Sequence, residues 1–284
     1  MAMQEPPPPA AEDHTITLRG LRFHYVRWGD PKAPLLLALH GLRSYAQTFE
    51  GLATALWPRM QLIGLDQRGR GSSAWDPESR YDTDNYVADL SALVDALALP
   101  PFDLLGHSMG GANAIVYAAR HPHQVRRLVI EDMGPGASAS SAGSDRIRRE
   151  LAQTPEQFSD LQAARVFWRS IRPQASDAGI ESRVRYSLQQ NEAGAIVWRH
   201  DQAGIRQARE RIAPTDLWPY FDAITCPMLL LRGSQSDFLS ADTARRMQQR
   251  KPGMQFVEID GAGHYVHDDQ PEPFHRAVRD FLCA

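Results

Sequence analysis

Short, largely apolar runs recur along this chain at Leu35–Leu39, Gln61–Leu65, Phe102–Leu105, Arg127–Ile130 and Met228–Leu231, and they alternate with segments of helical spacing. A run such as Leu-Leu-Leu-Ala-Leu has no polar partner for an exposed face, so it predicts a strand buried on both sides. Between two such runs, Val87, Leu90, Leu93, Val94 and Leu97 fall on one face of a helix over Asn85–Leu97. Ala112–Arg120 and Phe274–Leu282 read as further helices, Phe256–Ile259 as a last strand, and Leu18–Trp28 as a pair of edge strands turning at Arg19-Gly20. Strand–helix alternation of this kind specifies an α/β fold with a mostly parallel sheet flanked by helices.

One stretch breaks the rhythm. A connector rich in serine and alanine starts at Ala137, and from Asp145 to Asp216 the pattern is helical, with no strand predicted. The expected organisation is a core of 14–136 and 217–284, a helical cap of 137–216 inserted between core strands, and a disordered proline-rich arm of 1–13 around Pro6–Pro9. Twelve arginines and ten acids in the cap predict mostly solvated faces with local ion pairs. Phe158, Phe167, Trp168, Trp198 and Trp218 are expected to pack it.

A net charge of −3 argues against a nucleic-acid partner, and no apolar run approaches the roughly 20 residues of a membrane span. Cys226 and Cys283 support neither a disulfide framework nor a cysteine metal site, which predicts a cytoplasmic setting and no metal. No phosphate loop or dinucleotide fingerprint occurs, so no cofactor is expected. The partner expected is a small-molecule substrate, and the assembly a monomer or homodimer.

Chemistry enters where strand meets helix, in Gly106-His107-Ser108-Met109-Gly110. Gly-x-Ser-x-Gly in that context is a sharp turn that holds the serine hydroxyl free above the sheet, with a helix N-terminus behind it. A serine is a poor nucleophile without a base, and the base needs an orienting acid. The base expected is His264, in the loop after the last strand. Asp237 is the expected acid, just past the Met228–Leu231 strand, and Asp132, past Arg127–Ile130, is the alternative. The Met109 amide, and that of Leu42 in His40-Gly41-Leu42-Arg43, are the expected oxyanion donors. Arg43 either faces solvent or enters the pocket as a substrate-binding residue for a carboxylate. A histidine base predicts activity falling on the acid side at about pH 6 to 7.

In this order, His40-Gly41, Asp66-Gln67-Arg68-Gly69-Arg70-Gly71-Ser72, the serine motif, Arg232-Gly233 with Ser236-Asp237, and Gly263-His264 resemble the α/β-hydrolases over about Leu18 to Leu282. The resemblance implies an eight-stranded sheet with a helical cap over the serine. It also implies Ser108 as nucleophile, His264 as base, Asp237 as acid, and Leu42 and Met109 as oxyanion amides. It leaves Asp132 open as the acid. Serine at the elbow points away from the branches with an aspartate nucleophile. The activity implied is cleavage of a small-molecule ester through an acyl-enzyme. The alternatives are amide, lactone or carbon–carbon bond hydrolysis of a carboxylate-bearing metabolite, a cofactor-free oxygenase or perhydrolase, and an inactive binding module.

Overall fold

The computed structural model describes residues 10–137 and 141–283. Strands β1 (Glu12–Leu18) and β2 (Leu21–Trp28) form a hairpin closed at Arg19 and Gly20, whose φ values are 50° and 81°. Strand β1 thus begins inside the segment expected to be a disordered arm, and Pro6–Pro9 lie outside the described residues. Next come β3 (Leu35–Leu39), α1 (Glu50–Leu56), β4 (Gln61–Leu65), α2 (Thr83–Ala96), β5 (Phe102–His107), α3 (Met109–Arg120) and β6 (Val125–Glu131).

The inserted segment holds α4 (Ala142–Gln153), β7 (Gln157–Phe158), α5 (Leu161–Ile171), α6 (Asp177–Ser187), β8 (Leu188–Gln190), β9 (Ile196–Trp198) and α7 (Gln202–Arg211). The core resumes with α8 (Trp218–Ala223), β10 (Met228–Gly233), α9 (Ala241–Arg250), β11 (Gln255–Ile259), α10 (Val266–Asp269) and α11 (Pro271–Leu282).

The main sheet has eight strands in the order β1-β2-β4-β3-β5-β6-β10-β11. Only β2 runs against its neighbours β1 and β4; every other pair is parallel. The apolar runs are explained by the two cores they face. Leu35, Leu37 and Leu39 enter one hydrophobic cluster, while Leu36 and Ala38 enter another on the opposite face. Each fully buried leucine contributes on the order of 2 kcal/mol of apolar burial.

The insertion is not wholly helical. Strands β7, β9 and β8 form a small antiparallel sheet. At two or three residues apiece they are too short to show a period-two pattern. This unit has its own core, in which Phe158, Trp168 and Trp198 pack with Ile180, Val184 and Leu188. Phe167 packs against that cluster, whereas Trp218 packs against the main core.

Candidate active site

The carboxyl ends of β5, β6 and β10 and the loop after β11 converge on one point. Ser108 sits between β5 and α3 with φ 53° and ψ −119°, a left-handed strain on a non-glycine residue. Glycine is required on both sides of it. A Cβ on Gly110 would stand 2.1 Å from the Leu39 carbonyl oxygen, and one on Gly106 would stand 2.3 Å from that of Gly110. The elbow is therefore a close approach of three backbones that no side chain can enter.

His264 Nε2 lies 2.9 Å from Ser108 Oγ, and His264 Nδ1 lies 2.7 Å from Asp132 Oδ2. All three residues are buried. With Asp132 as carboxylate, Nδ1–H donates to it and Nε2 accepts the serine proton. The Ser236 hydroxyl donates to Asp132 Oδ2 at 2.5 Å and the Gly233 amide to Oδ1 at 3.3 Å. Burial pushes the Asp132 carboxyl up and the His264 ring below its ordinary value, the latter with help from the Arg146 and Arg172 charges. Both effects favour a neutral imidazole, and the hydrogen bonds from Ser236 and Gly233 oppose the rise at Asp132 without reversing it.

The expectation that Asp237 meets the imidazole is corrected here. Asp132 directly follows β6, takes φ 47°, and anchors its amide on the Leu231 carbonyl of β10 at 2.8 Å. Asp237 lies beyond a tight turn that ties the Ser236 amide to the Gly233 carbonyl. That turn sends the Ser236 hydroxyl to Asp132 and leaves Asp237 facing the cap. There it accepts both Nε and an Nη of Arg146 from α4, at 2.8 and 3.0 Å.

Arg43 also departs from expectation. It is buried and donates to Glu150 at 2.5 Å and Thr154 at 3.0 Å, both on the cap side, so it fastens the loop after β3 to the insertion. It does not line the cavity over Ser108.

That cavity measures about 540 Å³ and is bounded by core residues Leu42, Ser108 and Met109 and by cap residues such as Ile147 and Ile205. The two expected oxyanion amides thus belong to residues on its wall. Met109 is the first residue of α3, where an amide has no acceptor within the helix.

A polar chain fixes the loop that carries Leu42. His40 Nδ1–H donates to the Gly41 carbonyl at 2.7 Å, and its Nε2 accepts the Gln67 amide at 3.1 Å. The Gln67 side chain donates to the His40 carbonyl at 2.6 Å and accepts from Asn113 of α3 at 2.7 Å. Burial lowers the His40 ring to about 4, so it stays neutral and keeps this pattern.

Beside the Ser108–His264–Asp132 contacts, His107 Nε2 donates to the His264 carbonyl at 2.9 Å, and His267 Nδ1 bonds Glu131 at 2.7 Å. Among the described residues, His107, Glu131 and His267 form a group whose ligating atoms come within 4.8 Å of one another, a grouping that sequence spacing does not disclose. No described helix is long and apolar enough to cross a membrane.

An eight-stranded sheet, a strained serine at the β5–α3 elbow and a histidine after the last strand define an α/β-hydrolase. Residues 34–271 match the family described as alpha/beta hydrolase fold, and the chain belongs to that family. It is 30% identical over 251 residues, 88% of either chain, to the 2-(acetamidomethylene)succinate hydrolase of Mesorhizobium japonicum. It is 30% identical over 274 residues, 94% of this chain and 95% of the other, to the N-formylmaleamate deformylase of Pseudomonas putida. The crystal structure of E-2-(acetamidomethylene)succinate hydrolase superposes with a TM-score of 0.87 at 27% identity, covering 97% of this chain and 100% of that one. The protein is an enzyme of the hydrolase class.

Proposed function

We propose that this enzyme cleaves an ester-type acyl bond of a small molecule through a covalent acyl-enzyme on Ser108. The observation that carries the reading is the unbroken set of contacts from Ser108 Oγ through His264 to Asp132, with Ser108 on the wall of the cavity. His264 Nε2 takes the serine proton as Oγ attacks the carbonyl carbon, and the Leu42 and Met109 amides receive the charge on the oxygen. The imidazolium then protonates the leaving group. Water repeats the sequence on the acyl-enzyme, releasing the acid and restoring Ser108. Asp132 orients the ring and stabilises the imidazolium. The setting assigned is the cytoplasm, on the two free cysteines, Cys226 and Cys283.

A second reading, amide cleavage on the same residues, is favoured by the relatives' names, since acetamidomethylene and formylmaleamate groups hold acylated nitrogen. The test combines a fluorophosphonate probe with a screen of aryl esters and amides. The wild type is expected to label and Ser108→Ala to stay unlabelled while folding normally. In that variant kcat is expected to fall by ~10⁴-fold or more. Labelling that persists in Ser108→Ala would place the nucleophile elsewhere.

A further inference from the structure

Among the described residues, the buried arginines face carboxylates, with one exception. Arg43 pairs with Glu150, Arg68 with Asp76 and Asp89, Arg172 with Asp269, Arg183 with Asp268 and Arg232 with Glu258. Arg70 is only 1% exposed, and among the described residues no carboxylate lies within ion-pair distance of it. Its Nε donates to the Leu42 carbonyl at 3.1 Å, and one Nη donates to the Arg68 carbonyl at 2.7 Å and the Tyr86 hydroxyl at 2.5 Å. The other Nη has only the Met109 sulfur, at 3.7 Å. The guanidinium lies over the rings of Tyr81 and Tyr86 at 5.0 and 5.4 Å. Tyr86 supplies no negative charge, because burial raises its hydroxyl to about 12.

A buried guanidinium with only neutral acceptors is costly, and such charges are ordinarily paired. Here the under-used Nη belongs to a residue that lines the same cavity as Ser108, and the guanidinium touches both residues assigned to the oxyanion site, Leu42 through Nε and Met109 through that Nη. Cap residues Arg148 and Arg209 line that cavity too. Desolvation and the Arg148 and Arg70 charges lower the Arg209 guanidinium from its ordinary value, so the three cations converge on one space.

We infer that Arg70 is a specificity-determining residue that receives a carboxylate of the substrate, so that the preferred substrates are acyl compounds bearing a free carboxylate near the scissile carbonyl. The inference rests on the hydrolase reading and narrows it. The substrate supplies the missing counter-charge, and the one Nη that meets no oxygen of the described residues offers it a charge-assisted donor. Arg148 and Arg209 attract the anion from the cap side of the cavity.

The test uses the full-length enzyme and a matched pair of esters, monophenyl succinate and its methyl-capped neutral counterpart. Wild type is expected to prefer the charged ester in kcat/KM by about 10- to 100-fold, the scale of a charge-assisted hydrogen bond. Arg70→Gln is expected to collapse that ratio, mainly through KM on the charged ester, and Arg70→Lys to restore part of it. Free succinate is expected to slow fluorophosphonate labelling of the wild type and to have little effect on Arg70→Gln. If Arg70→Gln fails to fold, Arg209→Gln at the exposed rim serves, with an expected ratio loss of about two- to fivefold. Equal use of both esters by an enzyme that labels normally would overturn the inference while the hydrolase reading stands. So would an Arg70→Gln variant that slows both esters equally through kcat, the signature of a brace for the oxyanion loop. Failure of wild type to label would instead overturn the hydrolase reading.

Discussion

Asp132 directly follows β6 and Asp237 lies four residues past the adjacent β10, and of the two Asp132 is the one that hydrogen-bonds the His264 ring. Asp132→Asn is expected to lower kcat by ~10⁴-fold, because the amide loses the charge and can stabilise the wrong tautomer. Asp237→Asn is expected to cost ~10-fold at most, since Asp237 bonds Arg146 and reaches His264 only by charge at a distance. Kinetics of the two variants, with urea midpoints to confirm folding, decide between them; a dead Asp237→Asn beside an active Asp132→Asn would reverse the assignment. The pH profile follows from the same contacts. The proposed base must be neutral, and burial with Arg146 and Arg172 holds the folded ring below the ordinary histidine value of 6.5. The acid limb of kcat/KM is therefore expected below pH 6.5, lower than an unperturbed histidine gives, with its midpoint belonging to the His264–Asp132 pair. A midpoint at or above 6.5 would contradict this environment. Ser108 and His264 were legible because each is marked by neighbours in sequence: glycines around the first, a strand and Gly-Ala-Gly before the second. The choice of acid was not, since it turns on a four-residue turn at Gly233–Ser236 that redirects one side chain.

At the scale of elements, the site is a junction of β3, β5 and α3 held at backbone contact. Gly110→Ala would drive a Cβ against the Leu39 and His40 carbonyls, atoms of the segment leading to Leu42. Neither side can yield without parting helix from strand. The expected result is a loss of roughly 3 kcal/mol in urea unfolding, with slower fluorophosphonate labelling than wild type at a pH where both are folded. Wild-type stability and labelling rate in this variant would mean that the elbow tolerates more room than the geometry allows. The chain Asn113–Gln67–His40 adds a polar fastening across the same junction. Its members stand in separate stretches of sequence, and the order of the strands, β4 beside β3 beside β5, is what brings them together. The main elements were readable from periodicity because both faces of the central strands are buried. Strands β7 to β9 were not, and neither was the start of β1 at Glu12, where exposed and half-buried residues replace a continuous apolar run.

Across the whole molecule, charged pairs fasten the insertion to the core around the cavity. Arg43, Glu150, Arg146 and Asp237 run in sequence from the loop after β3, through α4, to the loop after β10. On the other side, Arg183 of α6 donates to Asp268 of α10 and lies near the rings of Trp168 in the cap and Tyr265 beside the base. The Arg183 side chain is 3% exposed, so Asp268→Asn would leave a buried guanidinium without its counter-charge. The expected cost at pH 7 is about 3 kcal/mol in urea unfolding. Its pH dependence fixes the sign. Burial raises the Asp268 carboxyl, but Arg183, His267 and Arg172 more than reverse that and hold it below the ordinary aspartate value of 3.8. A depressed carboxylate stabilises the folded state above its unfolded value and loses that contribution as pH falls through the lower folded value. The stability gap between wild type and Asp268→Asn is therefore expected to be constant from pH 7 to about 4.5 and to narrow below 3.8, with tryptophan fluorescence from Trp168 and Trp198 as the signal. A gap that is absent at pH 7, or one that widens on acidification, would show that this seam is not held by the charge on Asp268.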